Sequence, residues 1–136
     1  MYARKPILLS ISVMTLLFFS CQEKKADFFE RDAKEYTATY CPQPLGDGVT
    51  TLDSIVFDKE GVGTLKIYYS LVLTDEEREN MMNKLGELGD ANLSTLRSSV
   101  ILAKHKEAGV NFNYIYIDKN RKEKIAEYNF TKEDYK

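Results

Sequence analysis

Apolar residues fall along this chain in successive rhythms, and each rhythm predicts a different kind of element. A nearly unbroken apolar run extends from Ile7 to Phe19. After it, Phe28, Phe29, Ala33, Tyr36 and Thr37 recur at helical spacing among alternating charges. That spacing predicts a helix opened by Asp27 as N-cap and fading through Thr39 and Tyr40. Pro42, Pro44 and the run Gly46-Asp47-Gly48 then predict a loop over 41–50. From Thr51 the period changes to two. Leu52, Ile55, Val56 and Phe57 mark one strand, and Leu65, Ile67, Tyr69, Leu71 and Leu73 alternate with Lys66, Tyr68, Ser70 and Val72 along a second. Between them, Gly61 and Gly63 suit a turn that needs positive φ.

Thr74 ends this hairpin and opens a helix, since Glu77 stands three residues on in the spacing of a capping box and Asp75 and Glu76 favour the positive helix start. Met81, Leu85 and Leu88 form its stripe, and Gly86 and Gly89 predict that it frays near Leu88. A second helix is expected from about Leu93 to Glu107, with Leu93, Leu96, Val100, Leu102 and Ala103 inward and Gly109 as its terminator. Then Val110, Phe112, Tyr114 and Tyr116 alternate with Asn111, Asn113, Ile115 and Ile117. Apolar bulk on both faces predicts a central strand. Asp118 to Arg121 makes a turn, Lys122 to Phe130 returns as a strand, and Thr131 to Asp134 can cap one last helical turn. The order α-β-β-α-α-β-β predicts an α+β fold in two layers: an antiparallel four-stranded sheet of two hairpins with helices on one face.

The N-terminal run belongs to none of this. Arg4 and Lys5 precede it and Ser20-Cys21 ends it, which is the build of a secretory signal. Crossing about 30 Å of hydrocarbon takes roughly 20 apolar residues, so the run is short for a membrane span. Phe18-Phe19-Ser20-Cys21 resembles the lipobox of bacterial lipoproteins, with the bulky Phe19 where that pattern carries a smaller residue. The resemblance implies cleavage before Cys21, a diacylglycerol on its sulfur and an amide-linked acyl chain. A single chain binds marginally, but at about 0.8 kcal/mol per buried methylene two or three chains make attachment effectively permanent. No aspartate follows Cys21 directly, which by analogy with Gram-negative sorting points to the outer rather than the inner membrane. The expected organisation is a signal peptide at 1–20, a lipidated tether at 21–26 and a single α+β domain at 27–136.

Charge and cysteine content narrow the partners. The chain has 19 basic and 21 acidic residues, and losing Arg4 and Lys5 with the signal makes it more acidic still. Interspersed signs with an acidic balance exclude nucleic acid and a polybasic membrane patch, so lipid must supply the anchor. With Cys21 acylated, Cys41 is a lone thiol and reads as a small buried apolar group.

Motifs for chemistry are absent. His105, between Lys104 and Lys106, has no companions at ligand spacing and reads as a solvated histidine at a helix end. Asp75, Glu76, Glu77 and Glu79 read as a solvated first turn, and Asp118-Lys119-Asn120 lacks the glycine and distal glutamate of a calcium loop. No phosphate loop or serine elbow occurs, and no cofactor or metal is expected. Surplus aromatic residues remain. Tyr68, Tyr114, Tyr116 and Tyr128 lie on strands, and tyrosine joins a flat apolar body to a polar tip, as recognition surfaces require. These four are the candidate binding surface.

Thr51-Leu52-Asp53-Ser54, Ile67-Tyr68-Tyr69-Ser70-Leu71, the run from Ala108 to Asp118 and Asn129-Phe130-Thr131 resemble a group of small uncharacterised α+β lipoproteins of Gram-negative bacteria. The resemblance implies the fold and the compartment and supplies no site. Two classes of function follow. One is a noncatalytic binding or accessory lipoprotein that meets an envelope protein or glycan through the sheet face or the 41–50 loop. Its specific form is an inhibitor or immunity protein that inserts an acidic loop near Asp47 or Asp53 into an envelope hydrolase. The other is a thiol-dependent enzyme built on Cys41, His105 and Asp53.

Overall fold

The computed structural model describes residues 25–136; the expected signal peptide, Cys21 and the start of the expected tether lie outside the described residues. Helix α1 occupies 25–40 and is already formed at Lys25, so Asp27 lies within it rather than capping it. There Asp27 pairs with Lys59 at 3.2 Å. Strand β1 is Gln43–Pro44, β2 is Thr50–Asp58 and β3 is Thr64–Leu71. Helices α2 (Asp75–Met82), α3 (Leu85–Ser98) and α4 (Ala103–Glu107) follow, then β4 (Asn111–Asp118), β5 (Glu123–Phe130) and the short α5 (Lys132–Tyr135).

The fold is α+β with a single sheet, but that sheet has five strands in the order β1-β2-β3-β4-β5, not four, and it is mixed, not antiparallel. The extra strand lies inside the expected 41–50 loop. Gln43 and Pro44 pair with Leu52 and Thr51, at the edge where a residue without an N–H does no harm. Both expected hairpins form, β2 with β3 and β4 with β5. They join through β3 and β4, which run parallel with Leu65 opposite Phe112, Ile67 opposite Tyr114 and Tyr69 opposite Tyr116. The cause is the long helical connection. Three helices carry the chain back to the end of the sheet where β3 began, and a crossover of that length is what parallel pairing demands. Strand β4 is interior, as its two apolar faces predict.

Helix boundaries also differ from the sequence expectation. The chain breaks at Asn83–Lys84 and again over 99–102, whereas α3 runs through Gly86 and Gly89 without interruption. Gly89 is explained by packing: a Cβ there would stand 2.8 Å from the Tyr128 ring, so the missing side chain is what seats α3 on β5. The capping box of α2 is present, with Glu77 N–H donating to Thr74 Oγ1 at 3.2 Å and Thr74 N–H to Glu77 Oε2 at 2.8 Å. Helix α2 buries no residue of its own. Half-buried Met81 packs against the core, and charge adds to its hold, because Arg78 reaches the fully buried Asp118 at 3.4 Å and Glu123 at 3.3 Å. Arg121 also pairs with Asp118, at 2.9 Å, and with Asp75. The Arg121 guanidinium, with the backbone N–H groups of Arg121 and Asn120, holds the Asp118 carboxyl below its ordinary pKa.

One face of the sheet makes the core. Leu52, Phe57, Leu65, Ile67, Leu71 and Phe112 are buried there against Phe29 and Ala33 of α1, Leu96 of α3 and Tyr135 of α5. The other face carries Lys66, Tyr68, Asn113, Ile115 and Glu127, with Ile115 shielded between its cross-strand neighbours Tyr68 and Glu127.

Candidate functional site

Helices α1 and α3 lie on the same face of the sheet without closing over it. Helix α1 is pinned to β2 by Thr37, whose Oγ1 accepts from Ile55 N–H and donates to Ile55 O, both at 2.9 Å. Near its other end, Phe29 packs on Phe57 with ring centroids 5.3 Å apart. Helix α3 is pinned to β4 and β5 instead. Asn92 exchanges hydrogen bonds with Tyr116 Oη at 2.9 and 3.1 Å, and Tyr128 Oη donates to Leu85 O at 2.6 Å.

Between the two helices an apolar cleft of about 360 Å³ remains. Its floor is Leu52, Ile55, Leu65, Ile67, Tyr69 and Tyr114 from the strands. Ala33 and Tyr36 line it from α1, Asn92, Thr95 and Leu96 from α3, and Ile101, Leu102 and His105 from the segment that follows. Mostly apolar walls with a few convergent polar groups, in a volume of roughly 300–1,000 Å³, are the usual form of a ligand site.

Its polar groups are Asp32, Asn92, Thr95, Ser99 and His105 together with tyrosine hydroxyls. Tyr69 stacks on Tyr116 at 4.9 Å and 15°, and burial together with the neighbouring Tyr116 pushes its pKa up to about 12. Burial raises that of Tyr114 as well. Both hydroxyls therefore stay protonated at neutral pH and can donate, yet among the described residues neither makes a hydrogen bond. At the mouth, the lining residue Ile101 is 92% exposed and its neighbour Val100 86%. Val100 was expected to point inward. The break after Ser98 turns it out.

The four tyrosines proposed from the sequence do not share a face. Tyr68 is on the open side of the sheet, Tyr114 lines the cleft, and Tyr116 and Tyr128 lie beneath α3 as its hydrogen-bond partners. Tyr69 and the Val100–Ile101 pair escaped sequence reasoning. The signal for the second was the apolar string Val100-Ile101-Leu102, which no single helical face can bury.

His105 overturns its expected setting. It is buried, stacks on Phe29 at 4.2 Å and 24°, and among the described residues has no hydrogen-bond partner at Nδ1. Burial holds its pKa below the ordinary value, against a smaller opposing pull from Asp32. The chain turn over 99–102 swings α4 against α1, which its lysine neighbours could not reveal.

Cys41 is a half-buried free thiol at the far end of α1, with a pKa raised by burial and by Asp53. A raised pKa is the wrong direction for a nucleophile. The imidazole is no help, because Phe29, on which His105 stacks, lies twelve residues back along α1 from Cys41, about 18 Å at 1.5 Å per residue. Asp53 accepts from Ser70 at 2.9 Å, and Asp47 caps its own loop through Val49 and Thr50 N–H at 2.9 and 2.7 Å. Among the described residues no group of three or more His, Cys, Asp or Glu could hold a metal, and no helix is long and apolar enough to cross a membrane.

The chain belongs to the family of the domain of unknown function DUF8479, which matches residues 24–126. No curated protein matches it. Among solved structures it resembles a protein of Pseudomonas aeruginosa assigned as secreted, with a TM-score of 0.67 at 14% identity over 82% of this chain and 92% of the other. It also resembles the pilotin EpsS of the Vibrio vulnificus type 2 secretion system, with a TM-score of 0.62 at 12% identity over 86% of this chain and 97% of the pilotin. At these identities the likeness is one of fold.

Proposed function

We propose that this protein is a lipid-anchored, noncatalytic accessory module of the Gram-negative cell envelope, which holds an apolar segment of a partner protein in the cleft between α1 and α3. The observation that carries this reading is the open cleft itself, with the unpaired hydroxyls of Tyr69 and Tyr114 in it and Ile101 at its mouth. A glycan would want a wall of hydrogen-bonding groups, whereas apolar walls with a few donors suit side chains of a protein segment. The fold likeness to a secreted protein and to a secretion-system pilotin supports an envelope setting. The lipobox-like Phe18-Phe19-Ser20-Cys21 supports attachment through acylated Cys21, with the outer membrane the expected side.

Photocrosslinking in intact cells tests the cleft. A photoreactive residue at Ile101 is expected to capture a discrete envelope protein, and Thr95→Trp, which fills the cleft, is expected to abolish the product. A photoreactive residue at Val56, exposed on β2, serves as control. Equal capture at both positions, or capture that survives Thr95→Trp in a folded variant, would sink the assignment. Labelled palmitate tests the anchor separately, since incorporation must disappear with Cys21→Ala.

A further inference from the structure

One end of the domain carries apolar residues that the fold does not need exposed. At the tip of the β2–β3 turn, Val62 is 65% exposed between Gly61 and Gly63, which adopt φ of +62° and +88°. Gly63 is fixed by space as well as by φ, because a Cβ there would meet the Phe57 ring at 2.5 Å. The turn is thereby held in a shape that points Val62 outward, at a position where turns ordinarily place polar residues. Beside it stand Lys25 and Ala26 of α1, and Lys25 also borders Phe28, which is 39% exposed with the Lys104 ammonium 5.7 Å from its ring centroid. Lys59 is paired with Asp27 and Glu30, at 3.2 and 3.0 Å, while Lys25, Lys104 and Glu107 stand around Phe28, so this end sets exposed apolar side chains among charged ones.

The same end is the one closest to the anchor. Cys21 is four residues before Lys25, and four peptide steps reach at most about 14 Å whatever their conformation. The start of α1 therefore cannot stand farther than that from the backbone of an acylated Cys21. We infer that the end bearing Val62, Phe28 and Lys104 rests on the bilayer, with Val62 and Phe28 entering the headgroup region and the lysine meeting lipid phosphates. The occupant of this surface is the membrane that holds the acyl chains, and the inference rests on the acylation of Cys21 proposed above. It sets the domain upright. Helix α1 climbs away from the membrane, and the 41–50 loop and the β4–β5 turn lie at the distal end.

The test uses the full chain, purified with its acyl group and reconstituted in vesicles of phosphatidylethanolamine and phosphatidylglycerol. On a Cys41→Ala background, Val62→Cys and Val72→Cys each receive a fluorophore; Val72, just past β3 at the distal end, is 50% exposed. Quenching by aqueous iodide is expected to be at least about threefold weaker at position 62 than at 72. Equal quenching in protein whose intact mass shows the acyl group overturns this orientation alone. An intact mass without acylation removes the anchor, and the orientation falls with it.

Discussion

The two halves of the sheet are built from the same residue types yet are covered differently. Over β4 and β5 the rings interlock: Phe112 meets Tyr135 edge-on at 5.4 Å, and Tyr116 meets Tyr128 at 6.1 Å. The hydroxyls of Tyr116, Tyr128 and Tyr135 all find protein partners there, Tyr135 donating to Val110 O at 2.9 Å. Over β2 and β3, the same face ends in a cleft that reaches across to Tyr114 of β4, and among the described residues the hydroxyls of Tyr69 and Tyr114 have none. Tyrosines with satisfied tips serve the fold, while tyrosines with idle tips over open space are available to a ligand.

Mutation can break this contrast at its strongest point first. Phe112→Ala, in the closed half and fully buried, is expected to cost about 3–5 kcal/mol in urea unfolding. Next comes a pair of glycines in one helix. Gly89→Ala forces a Cβ against Tyr128 and is expected to destabilise by about 1–3 kcal/mol, although alanine is the better helix former. Gly86→Ala meets open space and is expected to stabilise by up to about 1 kcal/mol. If both changes stabilise, the close approach of α3 to β5 is not what the packing implies.

Smaller effects separate the two kinds of tyrosine. Tyr116→Phe loses its exchange with Asn92 and is expected to cost about 1 kcal/mol, while Tyr69→Phe changes stability by less than about 0.5 kcal/mol and instead weakens crosslinking at Ile101. The smallest effect is a pH slope. Because burial lowers the His105 pKa from 6.5, the unfolded chain takes up the proton first, so stability present above about pH 6.5 is lost as pH falls below it. Thermal unfolding of His105→Gln is expected to lack that slope, whereas the loss from Asp118, whose pKa is lowered from 3.8, begins only near pH 4 and stays.

What the sequence made legible was local. The Thr74–Glu77 box, the alternation of β3 and β4 and the Gly109 terminator each depend on residues a few positions apart, and each is found in place. What escaped depends on distant partners. Gly89 reads as a weak point until Tyr128 is set against it, and His105 reads as solvated until the 99–102 turn delivers it to Phe29. Strand β1 is two residues long and exists only because β2 offers an edge. The cleft is a gap between elements, so no spacing in the chain could announce it, although alternation placed Leu65, Ile67, Tyr69 and Tyr114 of its floor on the core faces of their strands.

The parallel seam between β3 and β4 has a consequence for how this chain acquires its shape. Each hairpin can form from neighbouring residues, but the seam can close only after the whole helical connection has doubled back, which makes it the slow, long-range step. Until then both β3 and β4 offer bare backbone to any passing strand. A polypeptide truncated within that connection is therefore expected to aggregate, even though every hydrogen bond of its surviving hairpin is local.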